Sequence, residues 1–236
     1  MAIRAMTVLA SVVSALFRGW LVHLRRHRTK YLIAAVLLGV LTIFTVPRDP
    51  SWVDWISADQ QRHLNWSTAL SHWGDFRGTL TVAAALIVAA AVFRRMGLAR
   101  FGLAIVLAAA LSGAAANVGR VTFGRPRPVS TKPDGLYGPT FKYKLQGFPS
   151  AHSATAAATS SVLLAWNPWV GAAASVATLA VMWSRIHLRR HHPTDVMVGA
   201  FIGVVFGLGL GVAARDSGGM TLPGASREEG DHRRVG

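Results

Sequence analysis

Long apolar runs alternate with short polar segments along this chain, and six of these runs carry almost no charge. They are the segments 31–46, 79–93, 101–118, 153–166, 169–183 and 196–214. A helix needs about 20 residues to cross a 30 Å hydrocarbon core, so flanking arginine and tryptophan side chains must extend the shorter runs at the interface. The pattern predicts an all-α fold, a polytopic membrane bundle with six transmembrane helices over residues 31–214.

Alanine and glycine recur inside the apolar runs, for example at 108–110, 114–116 and 172–174. Small side chains let helices approach each other closely in lipid, where no hydrophobic effect brings them together. We therefore expect a compact bundle, without an internal repeat and without a soluble second domain.

Residues 1–30 form a segment of different character. Their apolar run at 6–17 is too short to span a membrane, and it is followed by Arg18 and a basic run at 25–30. This pattern favours an amphipathic helix in the membrane interface over a signal peptide or a seventh span.

Two further segments lie outside the predicted spans. The stretch 47–78 holds four tryptophans and scattered charges, as expected of helices at the headgroup level with interfacial anchors. The glycine-rich, basic tail 215–236 is expected to be disordered.

Composition and charge narrow the class of protein. The 236 residues are 52% hydrophobic and 15% charged, against roughly 25% charged in soluble domains. The net charge of +15 would suggest nucleic-acid binding only on a soluble, basic surface, and here the cations stand in clusters between apolar runs. We expect membrane lipids as partners and no nucleic acid. The chain has no cysteine, which excludes a disulfide framework, a thiol nucleophile and a thiolate metal site.

Two polar loops must lie on one face of the membrane, because two spans separate the loop 119–150 from the loop 184–195. Four cations stand just before the first span and only Arg48 stands just after it. The bias of positive charge toward the cytoplasm then places both termini inside and the two loops on the periplasmic or exterior side. We expect a multi-pass protein of the cell, or inner, membrane.

The two loops collect arginine and histidine with few carboxylates. Ionisable groups at the border of membrane helices indicate a functional site. Guanidinium groups match the oxygens of a multiply charged oxyanion such as phosphate, and a nearby histidine can act as nucleophile or proton donor. The loops hold only two acidic residues, Asp134 and Asp195. Because a two-metal phosphatase needs more carboxylates, we expect neither a metal ion nor a cofactor, and a covalent phosphohistidine fits better.

Three motifs occur in order within these loops. They are Arg120, six residues, Arg127-Pro128; Pro149-Ser150-Ala151-His152; and Ser184-Arg185, five residues, His191, three residues, Asp195. In these motifs the chain resembles the type 2 phosphatidic acid phosphatases, membrane lipid phosphatases that share their site with vanadium haloperoxidases. It departs from the family pattern where Arg120 replaces a lysine and Ala151 replaces a glycine.

The resemblance implies a role for each matched residue. His191 would attack phosphorus, Asp195 would hydrogen-bond the far nitrogen of its ring, and His152 would protonate the leaving alkoxide and then activate water. The phosphoryl oxygens would be bound by the remaining matched residues: Arg120, Arg127, Arg185, Ser150 and the backbone amide of Ala151.

Some of these residues have simpler alternatives. Asp195 could cap the last span, and Ser150 could cap the fourth span while also aiming free N–H groups at phosphate. His187, His191 and Asp195 lie at four-residue steps that would suit a metal on a continuous helix, but Pro193 is expected to break that helix. Three further cations are predicted to lie at the surface and bind lipid headgroups rather than the substrate phosphate: Arg125, Arg189 and Arg190.

The motifs and the spans together predict an integral membrane phosphatase. It would remove the terminal phosphate from a lipid phosphomonoester or diphosphate, such as phosphatidic acid, phosphatidylglycerol phosphate, undecaprenyl diphosphate or lipid A. Two alternatives remain open: a vanadate-dependent haloperoxidase, and a non-catalytic lipid-phosphate binder or transporter.

Overall fold

The structure, a computed structural model, describes residues 2–217, and in this part of the chain α-helices account for most residues and no strand occurs. Short 3-10 turns lie at Val46–Arg48 and Tyr143–Leu145. Nine α-helices follow in chain order within the described residues: α1 Ala2–Arg26, α2 Arg28–Thr45, α3 Asp49–Ile56, α4 Gln60–Trp73, α5 Phe76–Val92, α6 Met96–Phe123, α7 Ala151–Trp166, α8 Pro168–His187 and α9 Pro193–Asp216.

The six predicted apolar runs each fall in a different helix, which confirms the all-α, polytopic bundle. They lie in α2, α5, α6, α7, α8 and α9, in that order. Helices α2 and α3 together form one stretch long and apolar enough to cross a membrane, Arg28–Ile56, and α4 and α5 form a bent pair with 56° between its halves. With 16 residues α7 rises only about 24 Å, and most of its residues are buried among its neighbours.

Helix α7 packs backbone to backbone against α9. A Cβ atom added at Gly203 would come within 2.2 Å of the carbonyl oxygen of Ala154, and one at Gly207 within 2.5 Å of that of Ala158. Glycine at four-residue steps therefore lets the two helices touch, as the small-residue pattern predicted. This contact sets the starts of α7 and α9 side by side, and both starts carry predicted site residues.

The first helix is longer than the sequence suggested. The predicted run at 6–17 continues as helix to Arg26, and Met6–Arg26 has the length and apolarity of a span. Its Leu16 is buried in the core, and Trp20 stacks on Phe206 of α9 with ring centroids 5.1 Å apart. Thus α1 packs along the last helix, while its predicted interfacial position stays a prediction. Residues 218–236, most of the predicted tail, lie outside the described residues.

Helices α3 and α4 occupy the tryptophan-rich stretch. The side chains of Trp52, Trp55, Trp66 and Trp73 are exposed, as expected of interfacial anchors. The opposite faces of these two helices bury polar groups that the sequence pattern did not single out: Asp49, Ser67 and Ser71.

Candidate active site

The two polar loops predicted to share a face are in direct contact. The first connects α6 to α7 over 124–150, and the second connects α8 to α9 over 188–192. The N–H of Ser150 donates to the carbonyl of Asp195 at 2.9 Å, and the ring of His191 lies 2.7 Å from the carbonyl oxygen of Gly147. This contact confirms the predicted juxtaposition.

His191 is fully buried where the loops meet. Because a carbonyl oxygen can only accept, its Nδ1 donates to Gly147, and Nε2 then carries the lone pair of the neutral ring. Within the described part of the chain Nε2 has no hydrogen-bond partner. Burial, with the positive charges of Arg185 and Arg127, lowers the pKa of His191 to about 3 against the opposing effect of Asp195. The ring is therefore neutral at physiological pH, the form a nucleophile requires.

Asp195 lies beside the ring nitrogen of His191 that the resemblance assigned to it, but without a hydrogen bond to that nitrogen. Its Oδ2 lies 3.6 Å from Nδ1 of His191, beyond hydrogen-bond distance, so Gly147 rather than Asp195 takes the hydrogen bond of that nitrogen. Asp195 accepts instead from the N–H of His192 at 2.8 Å and from Arg125 at 2.7 Å. The bond from His192 closes a capping box at the start of α9, which confirms the capping role.

Arg125 is a buried ion-pair centre, so its prediction as a surface cation was wrong. Its guanidinium, 4% exposed, contacts Asp49 at 2.8 Å, Asp195 at 2.7 Å and Asp134 at 2.6 Å. Burial alone would lower the pKa of Arg125, but the carboxylates raise it overall, and Arg125 in turn lowers the pKa of Asp134 against the effect of burial. Three carboxylates around one guanidinium explain why it is buried.

The other two predicted surface cations stay near the rim of the site. Arg189 is about one-third exposed and contacts Asp54 at 2.8 Å and Ser57 at 2.9 Å. Arg190 is exposed, and its charge helps to lower the pKa of Arg127, after the larger effect of burial. Headgroup binding by these two residues stays a prediction.

Three guanidinium groups converge beside His191 without a carboxylate partner in residues 2–217: Arg120, Arg127 and Arg185. Neutral groups hold each of them. Nε of Arg120 donates to the carbonyl of Pro149 at 3.0 Å, and Arg185 donates to Ser71 at 2.5 Å. Arg127 donates to the carbonyl and the hydroxyl of Tyr143, both at 3.1 Å. Converging charges of one sign without counter-ions form a site for an anion.

The start of α7 supplies the other predicted phosphate contacts. Ser150 is the N-cap, and its Oγ accepts from the N–H and the hydroxyl of Ser153, which confirms the predicted cap. Ala151 is the first helical residue, and its φ is not in the left-handed region, so the replacement of glycine causes no backbone strain here. The first N–H groups of a helix lack partners within the helix and can bind an oxyanion.

His152 faces a cavity of about 420 Å³ between α5, α6 and α7. We call this cavity the α6 groove. Arg120 and His152 line one end of it. Small residues of α6 line it further along: Ala109, Ala110, Gly113 and Ala114. The groove thus leads from the cationic cluster along an apolar helix surface.

Helix α4 contributes residues that sequence reasoning missed. Ser71 contacts Arg185, and one turn earlier Ser67 contacts Nδ1 of His187 at 2.9 Å. His187 is buried and stacks on Trp183 with ring centroids 4.6 Å apart. Small polar residues four positions apart on a tryptophan-flanked helix were the available signal for this buried face.

The alternative metal site would need one continuous helix from His187 to Asp195. Helix α8 ends at His187 and α9 begins at Pro193, so His187, His191 and Asp195 do not lie on one continuous helix. The predicted break is confirmed. In residues 2–217 no group of three or more potential protein ligands is arranged to hold a metal ion.

Fold and site together define a multi-pass membrane protein with a buried histidine beside a cluster of arginines suited to a multiply charged oxyanion. Residues 101–216 match the family model described as the PAP2 superfamily, and these residues include every site residue predicted from the sequence. This match confirms the family resemblance that the motifs indicated.

Particular relatives are similar in sequence and in structure. The lipid A 1-phosphatase of Porphyromonas gingivalis is 30% identical over an alignment of 132 positions, which covers 52% of this chain but only 27% of that protein. The crystal structure of Aquifex aeolicus LpxE has a TM-score of 0.52 at 21% identity, covering 71% of this chain and 94% of that chain. That of the first transmembrane PAP2 type phosphatidylglycerolphosphate phosphatase from Bacillus subtilis has a TM-score of 0.57 at 20% identity, covering 77% and 92%. The two structures share the fold.

Proposed function

We propose that this protein is a lipid phosphatase, which hydrolyses the terminal phosphate of a lipid phosphomonoester or diphosphate through a phosphohistidine at His191. One observation carries the proposal: Gly147 fixes the ring of His191 through Nδ1, Nε2 has no hydrogen-bond partner in residues 2–217, and the charges of Arg127 and Arg185, which have no carboxylate partner there, act on the ring. A neutral, oriented imidazole next to an anion site is what in-line attack on phosphorus requires.

The reaction would proceed in two displacements. Nε2 of His191 forms a bond to phosphorus while the bond to the leaving oxygen breaks, and His152 gives that oxygen a proton. His152 then takes a proton from water, whose oxygen attacks phosphorus and breaks the phosphorus–nitrogen bond. Asp195, 3.6 Å from Nδ1, would stabilise the positive charge that the ring gains in the first step.

The phosphoryl oxygens would be held by guanidinium groups and by the start of α7. Arg120, Arg127 and Arg185 would neutralise the charge of the transferred group in both displacements. Oγ of Ser150 and the N–H of Ala151 would complete the binding set, with the positive end of the α7 dipole behind them. The chain's own cations thereby fill the electrostatic role of a metal ion, and we propose a metal-independent reaction.

A lipid substrate is supported by the α6 groove. A phosphate at Arg120 and His152 would leave the attached apolar chain along the small residues of α6, so the lipid would not have to enter water. The names of the relatives, lipid A 1-phosphatase and phosphatidylglycerolphosphate phosphatase, also support a phosphorylated lipid. We place the site on the periplasmic or exterior side of the cell membrane, following the predicted orientation.

The test is phosphate release by the detergent-purified protein from phosphatidic acid, phosphatidylglycerol phosphate, undecaprenyl diphosphate and lipid A. We expect release from at least one of them, in excess EDTA as well, and inhibition by orthovanadate. His191→Ala should abolish release while lipid binding persists, whereas His63→Ala, which removes a histidine outside the site, should leave release unchanged. Binding without release by the unaltered protein would instead indicate a lipid-phosphate binder, and turnover retained in His191→Ala would contradict the covalent route.

A further inference from the structure

We infer that a second cavity, between α1 and α9 on the face opposite the candidate active site, binds the headgroup of an anionic phospholipid. This α1–α9 cavity has a volume of about 500 Å³. Its cationic and imidazole lining comes from both helices and from the joint after α1: Arg18, His23, Arg26, His27 and Arg215.

The course of α9 separates this cavity from the active site. Helix α9 begins at the site with Asp195 in its first turn, and it ends beside the cavity at Asp216. Its 24 residues rise about 36 Å, which is the thickness of a membrane core with part of its interface. A ligand in the α1–α9 cavity would therefore belong to the other leaflet.

In the described part of the chain, two arginines of the cavity have no carboxylate partner. Within residues 2–217, Arg18 and Arg26 form no ion pair, and both side chains are exposed. The one carboxylate of the described residues that lines the cavity, Asp216, contacts Arg215 at 3.4 Å. Arg18 and Arg26 stand eight residues apart on α1, about two turns or 12 Å along the helix, so two long side chains on one face can reach the same phosphodiester headgroup.

The walls of the cavity are apolar, which favours a lipid over a soluble anion. Val22 of α1 and Val212 of α9 lie beside the charged groups. At the floor the helices touch, because a Cβ atom added at Gly19 would come within 2.6 Å of that of Ala213. A basic pocket with apolar walls at the end of membrane helices matches a headgroup above its own acyl chains, with about 1 kcal/mol of attraction for each arginine near an anionic surface.

The test measures lipid binding by the full-length protein in micelles doped with phosphatidylglycerol, phosphatidylcholine or no lipid. Phosphatidylglycerol is a phosphodiester without a terminal phosphate, so the proposed phosphatase reaction does not consume it. The double variant Arg18→Gln/Arg26→Gln should bind phosphatidylglycerol about 30-fold more weakly, from two lost attractions. The matched control is Arg94→Gln/Arg95→Gln, which removes the same charge from exposed residues of the α5–α6 turn.

The outcomes separate a site from a charged surface. The proposal is supported if phosphatidylglycerol binding weakens only in Arg18→Gln/Arg26→Gln and recovers in Arg18→Lys/Arg26→Lys. Binding of phosphatidylcholine should be the same in all variants. An equal loss in both glutamine double variants would overturn it, because the effect would then be one of total charge. Binding of inorganic phosphate as tight as that of phosphatidylglycerol would also overturn the proposal, since the cavity would then bind a free anion.

Discussion

At the scale of single residues, Arg125 connects the two groups that act on His191. Its backbone carbonyl accepts from the N–H of Gly147 at 2.8 Å, and its guanidinium contacts Asp195. Gly147 then fixes Nδ1 of His191, while Asp195 supplies the nearby negative charge. A side chain at Gly147 would place Cβ 2.9 Å from that same carbonyl, so glycine permits the approach. Arg125 thus positions the proposed nucleophile without touching the substrate.

Replacing Arg125 should damage stability and turnover together. Arg125→Gln leaves buried carboxylates without their counter-ion, a change that costs about 3–5 kcal/mol of the free energy of unfolding. The matched control is Arg189→Gln, whose exposed pair with Asp54 contributes less than about 1 kcal/mol. Thermal unfolding in detergent and phosphate release measure the two effects. A similar loss of stability in both variants would contradict the central role of Arg125.

Replacing Asp195 should slow turnover less than replacing a carboxylate that orients a catalytic histidine usually does. Because Gly147 already fixes the tautomer of His191, Asp195→Asn removes the charge but not the orientation. We expect kcat to fall by about 10- to 100-fold, the range found when a group that supports a metal-bound histidine is removed, with KM little changed. Steady-state phosphate release checks this. A loss of about 10⁴-fold, as when the tautomer itself is wrong, would show that Asp195 orients the ring after all.

The spacing of the motifs predicted which charged residues share the site, because His191, Arg185 and Asp195 lie within one short stretch of sequence. It did not predict the partners of Arg125. Asp49 comes from α3 and Asp134 from the long loop, and no local pattern indicates that a guanidinium between them is buried. Burial of such a charge depends on three segments meeting, which is a property of the folded chain.

At the scale of elements, the contact between α7 and α9 sets the register of the site. Ser150 and Asp195 stand at the starts of these two helices, and Gly199 lies so close that an added Cβ would come within 2.3 Å of the carbonyl oxygen of Ser150. Farther along, Gly203 and Gly207 keep the helices together. The distance between the two motifs is therefore fixed by backbone packing.

A methyl group at this contact should separate the helices. Gly203→Ala would place Cβ 2.2 Å from a backbone oxygen that cannot move alone, and overpacking of this kind costs about 1–3 kcal/mol. Phosphate release should fall as well, because Ser150 moves relative to Asp195. Gly39→Ala is the matched control, since nothing lies within 4 Å of its added Cβ. Equal thermal stability of the two variants would show that the α7–α9 contact tolerates adjustment.

The apolar pattern predicted the six helices of the bundle because a membrane span needs a continuous apolar run. It underestimated α1, since Arg18 interrupts the apolar run although its exposed side chain leaves the helix intact. For α3 and α4 the pattern predicted only a position in the membrane interface. Their tryptophans dominate the sequence pattern, while the short polar side chains of Ser67 and Ser71 face inward.

At the scale of the whole molecule, the two ends of the bundle differ in how their charges are used. The end with the two loops gathers Arg120, Arg127 and Arg185 at the site and pairs Arg125 and Arg189 with carboxylates. The other end carries Arg18, Arg26, Arg94 and Arg95 without ion pairs in the described part of the chain. Unpaired arginine and lysine beside membrane helices favour the cytoplasmic side. Lys132, Lys142 and Lys144 in the loop of the site are also without an ion pair in residues 2–217, so the orientation in which the site opens outward stays a prediction.

Orientation can be measured directly because the chain contains no cysteine, so a single introduced thiol reports one position. Thr131→Cys lies in the exposed loop of the site, and Gly97→Cys lies at the opposite end, where an added Cβ has nothing within 4 Å. A membrane-impermeant maleimide applied to intact spheroplasts should label the first variant at once and the second only after permeabilisation. The reverse order would place the site in the cytoplasm. The substrate would then have to reach the site from the inner leaflet, and the α1–α9 cavity would face the outer one.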